Sequence, residues 1–155
     1  MLVRGVWGIC KNGEIKFIEI TENAEPEYSG RIIIEGLIMM KKIYEKEYIE
    51  RLKQIFDLLE YRPDIISNSN IFDIMKRYIS NNNRTILIKE PQVVSGEEKY
   101  SEWSHIINLD KDTFEVYRGL KYKRDNAGKL ILKRPKGKYY DIKIYGRVFF
   151  DKLKG

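Results

Sequence analysis

The sequence predicts an α+β fold: an N-terminal β-hairpin, about three helices, and a C-terminal antiparallel meander. Together these form one mostly antiparallel sheet with helices on one face. Three observations predict it. Strand-like segments joined by turn residues occupy both ends of the chain, the middle repeats apolar residues at three-and-four spacing, and no linker or composition break divides the 155 residues. One domain over residues 1–155 is therefore expected, long enough to bury about two thirds of its unfolded surface. With 43% apolar, 34% charged and 11 Tyr among its residues, the chain holds too much packing material for disorder.

Segments 2–10 and 14–21 are rich in Val, Ile, Phe and Trp, and Lys11-Asn12-Gly13 between them supplies the positive-φ residues of a tight hairpin turn. Pro26 and three glutamates break the pattern over 22–28, and Ser29 is the expected N-cap of a helix over 31–42. Ile32, Ile33 and Ile34 would equally suit a strand there. Tyr48, Ile49, Leu52, Ile55, Phe56 and Leu59 mark an amphipathic helix over 46–60, ended by Arg62-Pro63. Ser69 or Asn70 caps a third helix whose apolar face is Ile71, Phe72, Ile74, Met75, Tyr78 and Ile79. A short buried strand at 84–89 and a loop at 91–98 follow. Strands at 100–109 and 114–118 flank Asp110-Lys111-Asp112-Thr113, strands at 121–124 and 129–133 flank Asp125-Asn126-Ala127-Gly128, and 139–150 alternates as a last strand.

Charge is sorted along this order. Residues 116–155 carry thirteen Lys and Arg against Asp125, Asp141 and Asp151, a net +10, so the rest of this +6 chain is at −4. A cationic surface built this way attracts polyanions, nucleic acid first. Aromatic residues interleave with the cations at Tyr117, Tyr122, Tyr139, Tyr140, Tyr145, Phe149 and Phe150. Cations neutralise phosphates while ring faces stack on splayed bases. The candidate nucleic-acid contacts are Lys121, Lys123, Arg124, Lys129, Lys133, Arg134, Lys136, Lys138, Lys143 and Arg147. An ordinary solvated strand face is the competing reading.

Cys10 is the only cysteine, which excludes an internal disulfide and points to a reducing compartment. The apolar runs are far shorter than a membrane span, so a soluble protein of the host cell interior is expected. Scarce Gln beside abundant Lys, Glu and Ile fits a hot habitat or an AT-rich genome.

Arg4-Gly5, Gly8, Asn12-Gly13, Lys16 and Ser29-Gly30 form one recognisable pattern, and Glu102-Trp103 with Ile107-Asn108-Leu109-Asp110 and Phe114-Glu115-Val116-Tyr117-Arg118-Gly119 form another. Over about a third of the chain these resemble an uncharacterised group of small proteins from phages, archaeal viruses and cellular genomes. Where that group carries a His and an Asp before its Ser-Gly, this chain has Asn23 and Glu25. The resemblance implies a viral or mobile-element setting and supplies no chemistry.

For catalysis, a metal-dependent nuclease using Mg or Mn is the most economical enzyme reading. Glu90 and Glu102 are its leading metal ligands, as carboxylates that could converge at a sheet end, and Glu25 stands behind them. Asp64 with Glu97, Glu98 and Lys99 also matches a nuclease signature in letters, but a solvated loop explains it more simply. Asp110 and Asp112 read as turn residues. His105 and Cys10 read as structural. The alternative functions are a non-enzymatic inhibitor or adaptor that meets an acidic host protein, and a binder of small nucleotides.

Overall fold

The computed structural model describes residues 2–65 and 69–133. The strand expected at 139–150 and the candidate contacts Arg134, Lys136, Lys138, Lys143 and Arg147 lie outside the described residues. The N-terminal hairpin forms as its turn chemistry demands: β1 (Gly5–Lys11) and β2 (Glu14–Ile20) pair antiparallel through Asn12 at φ 52° and Gly13 at φ 75°. Asp110 locks that turn from the far end of the chain, accepting from Asn12 N at 2.7 Å and Gly13 N at 2.9 Å.

A wide helical turn at Pro26–Gly30 then leads into α1 (Arg31–Tyr44). Ser29 does not cap α1 as expected. It is buried inside the wide turn, where its hydroxyl donates to Asn23 O at 2.7 Å, and no side chain caps α1. A tight turn at Glu45–Glu47 links α1 to α2 (Tyr48–Leu58), so the first two helices are parts of one helical run, broken where Glu45 takes φ 55°. The helix expected to reach residue 60 stops at Leu58, and β3 (Leu59–Arg62) follows. Pairing decides this: β3 lies parallel to β4 (Ile86–Lys89) in a separate two-stranded sheet. Lys16 Nζ donates to the carbonyls of Phe56 and Leu59 at 2.8 and 3.0 Å, satisfying the end of α2. The third helix, α3 (Ile71–Ser80), is capped by Asn70 Oδ1, which accepts from Asp73 N at 2.8 Å.

The larger sheet has the order β2-β1-β5-β6-β7, with β5 at Glu98–Asn108, β6 at Thr113–Arg124 and β7 at Leu130–Lys133. Three of its four described strand pairings are antiparallel, as expected, but the sheet is mixed, because the chain leaves β2 at the sheet edge, passes through the helices and returns beside β1. That crossover makes β5 parallel to β1, with Trp7 opposite His105. The two strands expected at 114–118 and 121–124 are one strand. Gly119, at φ 78°, carries the chain through the break, and the Glu102–Gly119 pair drops out of an otherwise continuous register. Glu102 N and Trp103 N both donate there to Arg4 O, at 3.1 and 3.4 Å.

One face of this sheet carries the helices, with Trp7, Ile9, Ile18, Ile107, Phe114 and Val116 packed against Ile33, Leu37, Met40, Leu52 and Ile74. The other face curls upon itself. Phe17 of β2 meets Tyr122 of β6 edge to face, ring centroids 5.3 Å apart, although β1 and β5 lie between their strands. Tyr61 seals the free edge of β2: its hydroxyl accepts from Phe17 N at 2.7 Å and donates to Phe17 O at 3.1 Å. Among the described residues, no helix is long and apolar enough to cross a membrane.

Candidate nucleic-acid interface

Side chains alternate across a strand, so the break at Gly119 determines which residues β6 exposes. Before it, Glu115 and Tyr117 point into the inner face; after it, Leu120 and Tyr122 do, packed with Ile106, Phe17 and Leu130. Lys121 and Lys123 therefore point outward. Across three strands Tyr100, Lys121 and Lys133 stand in register, with Glu98, Lys123 and Ile131 in the row beside them. Tyr100 is 57% exposed. One step toward the helices, the Arg118 guanidinium lies 5.1 Å from the centre of the Trp103 ring.

Glu98 is the carboxylate within this surface. It accepts from Lys133 Nζ at 2.7 Å and pairs with Lys121 Nζ at 3.6 Å. The Lys133 hydrogen bond holds the Glu98 carboxyl below its ordinary range, and Glu98 in turn raises the Lys133 ammonium. Lys121 and Lys133 thus share one acid, and both groups of these ion pairs are exposed enough to be screened by salt.

The remaining described candidates sit elsewhere. Arg124 turns to the other side and clamps a loop: it donates to Val93 O at 2.8 Å and Gly128 O at 2.9 Å and pairs with Glu90 at 3.3 Å. Lys129 lies in the β6–β7 turn, where its backbone N–H and that of Ala127 donate to Asp125 Oδ1. Lys121, Lys123 and Lys133 share the outer side of β6 and β7, two of them paired with Glu98, while Arg124 serves the fold. Tyr100 and Trp103, which complete the surface, are not among the contacts expected from the sequence, where an aromatic in an alternating strand reads as core.

The carboxylates expected to hold metal do not share a strand pair. Glu90 follows β4 in the small sheet and is engaged by Arg124, whereas Glu102 lies at the break in β5, in the large sheet. Glu25 precedes the wide turn, its carbonyl accepting from Tyr28 N and Ser29 N at 3.0 Å. Asp64 pairs with Arg62 and Lys99 with Glu19, so the nuclease-like letters 64 and 97–99 go to separate partners. Among the described residues no group of three or more His, Cys, Asp or Glu is placed to hold a metal.

His105 is fully buried. Its Nε2 lies 2.6 Å from Ala24 O, and because a carbonyl only accepts, Nε2 carries the proton and leaves Nδ1 without a partner. Burial pushes this imidazole down to about 4. Cys10 is buried with its thiol 3.6 Å from Asp110 Oδ2.

Compared with known proteins, the chain matches no protein-family model, no curated protein and no solved structure.

Proposed function

We propose that the protein binds single-stranded nucleic acid through the outer face of β5, β6 and β7, as an accessory factor of the viral or mobile-element kind that its hairpin motifs imply. The observation that carries this reading is the exposed Tyr100 at the end of a row that continues into Lys121 and Lys133. A ring face stacks on any base, and lysines beside it neutralise the phosphates on either side. Three strands hold the backbones of these residues in fixed register, so binding orders side chains and not the chain itself.

Each phosphate neutralised on a single strand contributes about 0.7 to the slope of log affinity against log salt. Replacing Lys121, Lys123 and Lys133 together by Gln should therefore flatten that slope by about 2. Tyr100→Ala should weaken binding by about 1–3 kcal/mol and leave the slope nearly unchanged. Glu98→Gln should tighten binding, since Glu98 competes with phosphate for Lys121 and Lys133. Fluorescence anisotropy on a labelled oligonucleotide across a salt series reads all three. Unchanged affinity and slope in the triple variant would remove this surface from consideration.

A further inference from the structure

Between the last turns of α3 and the start of β4 the surface sinks into an open cavity of about 670 Å3, lined in part by the cations Lys76, Arg77 and Arg84. Among the described residues no carboxylate lines it. The sequence explains this: residues 74–88 hold those three cations and no Asp or Glu, within a stretch 1–115 whose net charge is −4. None of the three belongs to an ion pair of the described residues. Arg77 donates to Ser69 Oγ at 2.8 Å, a neutral acceptor that leaves its charge uncompensated, and the Lys76 ammonium lies 5.9 Å from the centre of the Phe72 ring. Asp73, the nearest acid along α3, is outside the lining. The helix itself works against an anion here, because the cavity meets the C-terminal end of α3, whose dipole is worth about half a negative charge. The surplus is then about 2.5 positive charges, all of it from side chains.

A phosphate monoester carries about −1.5 to −2 near neutral pH, and a second phosphate linked to it adds about one more charge. Two linked phosphates therefore match this surplus, and a single carboxylate or phosphodiester does not. Two of the three cations are guanidiniums, whose forked donors suit phosphate oxygens. Half-buried Ile65 and Leu87 add apolar surface to the wall, and the volume is in the range that holds small molecules. We infer that this cavity binds a small ligand with two or more linked phosphates, of the nucleoside diphosphate class, with Lys76, Arg77 and Arg84 as the phosphate ligands. The site shares no residue with the outer face of β5, β6 and β7 and stands or falls separately from it.

Competition against a ribose-labelled fluorescent ADP, on the full chain at fixed ionic strength without divalent ions, tests the assignment. Unlabelled ADP should compete about tenfold better than AMP, pyrophosphate should compete as well, and adenosine should not. Arg84→Gln and Lys76→Gln alter exposed side chains, so the melting temperature of the free protein should hold while each weakens ADP about tenfold. The triple replacement of Lys121, Lys123 and Lys133 by Gln should leave ADP binding as in the parent. Absence of ADP binding, equal competition by ADP and AMP, or ADP affinity that survives both single substitutions overturns the site. Loss of oligonucleotide binding in Arg84→Gln also overturns it, because the cavity would then hold the phosphates of a strand. Loss of ADP binding in the triple variant alone assigns the nucleotide to the outer face instead. Oligonucleotide binding by that triple variant tests the outer-face reading independently of each of these results.

Discussion

Acidification should destabilise this protein through its single histidine before most carboxylates titrate. His105 is 0% exposed, donates from Nε2 to Ala24 O, and faces Gly30 and Phe114, with no charged side chain of the described residues recorded against it. Burial holds its imidazole at about 4, against roughly 6.5 in an unfolded chain. Between those values the unfolded state binds the extra proton, so stability is whole above about pH 6.5 and falls as pH drops toward 4. The linkage relation gives a loss of about 2 kcal/mol by pH 5 and about 3 kcal/mol once both states are protonated. For 155 residues unfolding at roughly 2.1 cal/mol/K per residue, 2 kcal/mol lowers the melting temperature by about 6 °C. Denaturant melts at pH 7.0 and 5.0, run on the parent and on His105→Phe, isolate the effect. The variant loses the Ala24 bond at every pH, so only the difference between the two pH values carries the imidazole. That difference should be about 2 kcal/mol smaller in the variant. Equal differences in the two proteins, or an imidazole that titrates above 6 by NMR in the folded state, would refute the reasoning.

Two further substitutions test how the site is held. Tyr61→Phe removes the hydroxyl that serves both Phe17 N and Phe17 O, leaving buried edge groups unpaired at a cost of about 2 kcal/mol. Native-state hydrogen exchange should accelerate at the Phe17 amide, and an unchanged rate would show that the β2 edge is sealed by something else. Gly5→Ala places a Cβ 2.1 Å from the Trp103 carbonyl, a backbone atom that cannot swing aside, so β1 and β5 must separate locally. We expect a loss of about 3 kcal/mol or an unfolded product, measured by chemical denaturation, and a variant as stable as the parent would contradict the close β1–β5 approach.

What could be read from the sequence is what local chemistry determines. The Asn12-Gly13 turn needs only two residues that tolerate positive φ, and Asn70 needs only a free N–H three residues on. Lys121, Lys123 and Lys133 were visible because charge counts need no coordinates. Partners distant in sequence determine the rest. Leu59–Arg62 continues the apolar pattern of α2 and becomes a strand only because Ile86–Lys89 lies beside it. The parallel β1–β5 pairing follows from where the helical layer delivers the chain. Arg124 looked equivalent to its neighbours, yet Val93, Gly128 and Glu90 converge on it from three places. Glu19 drew no attention in an ordinary alternating strand, although it collects donors from β5, β6 and the 90–97 loop.

Gly119 links the inner and outer surfaces. With a regular strand through this point, the inward direction of Glu115 and Tyr117 would continue to residues 119, 121 and 123. Lys121 and Lys123 would then be driven against Phe17 and Leu130, with Leu120 and Tyr122 left in water. Burying two unpaired ammonium groups costs several kcal/mol each, and exposing a Leu and a Tyr forfeits about 2 kcal/mol apiece. A left-handed backbone at one position costs a residue with a Cβ only about 1–2 kcal/mol and glycine almost none. The reversal therefore wins easily, and β5 makes the matching change at Glu102, so that Ser101 and Ser104 meet at 2.9 Å on the inner side. The same step that sends Tyr122 inward to Glu19 turns Lys121 and Lys123 outward beside Tyr100. A cationic outer row and the inner bond between Tyr122 and Glu19 are thus two consequences of one glycine.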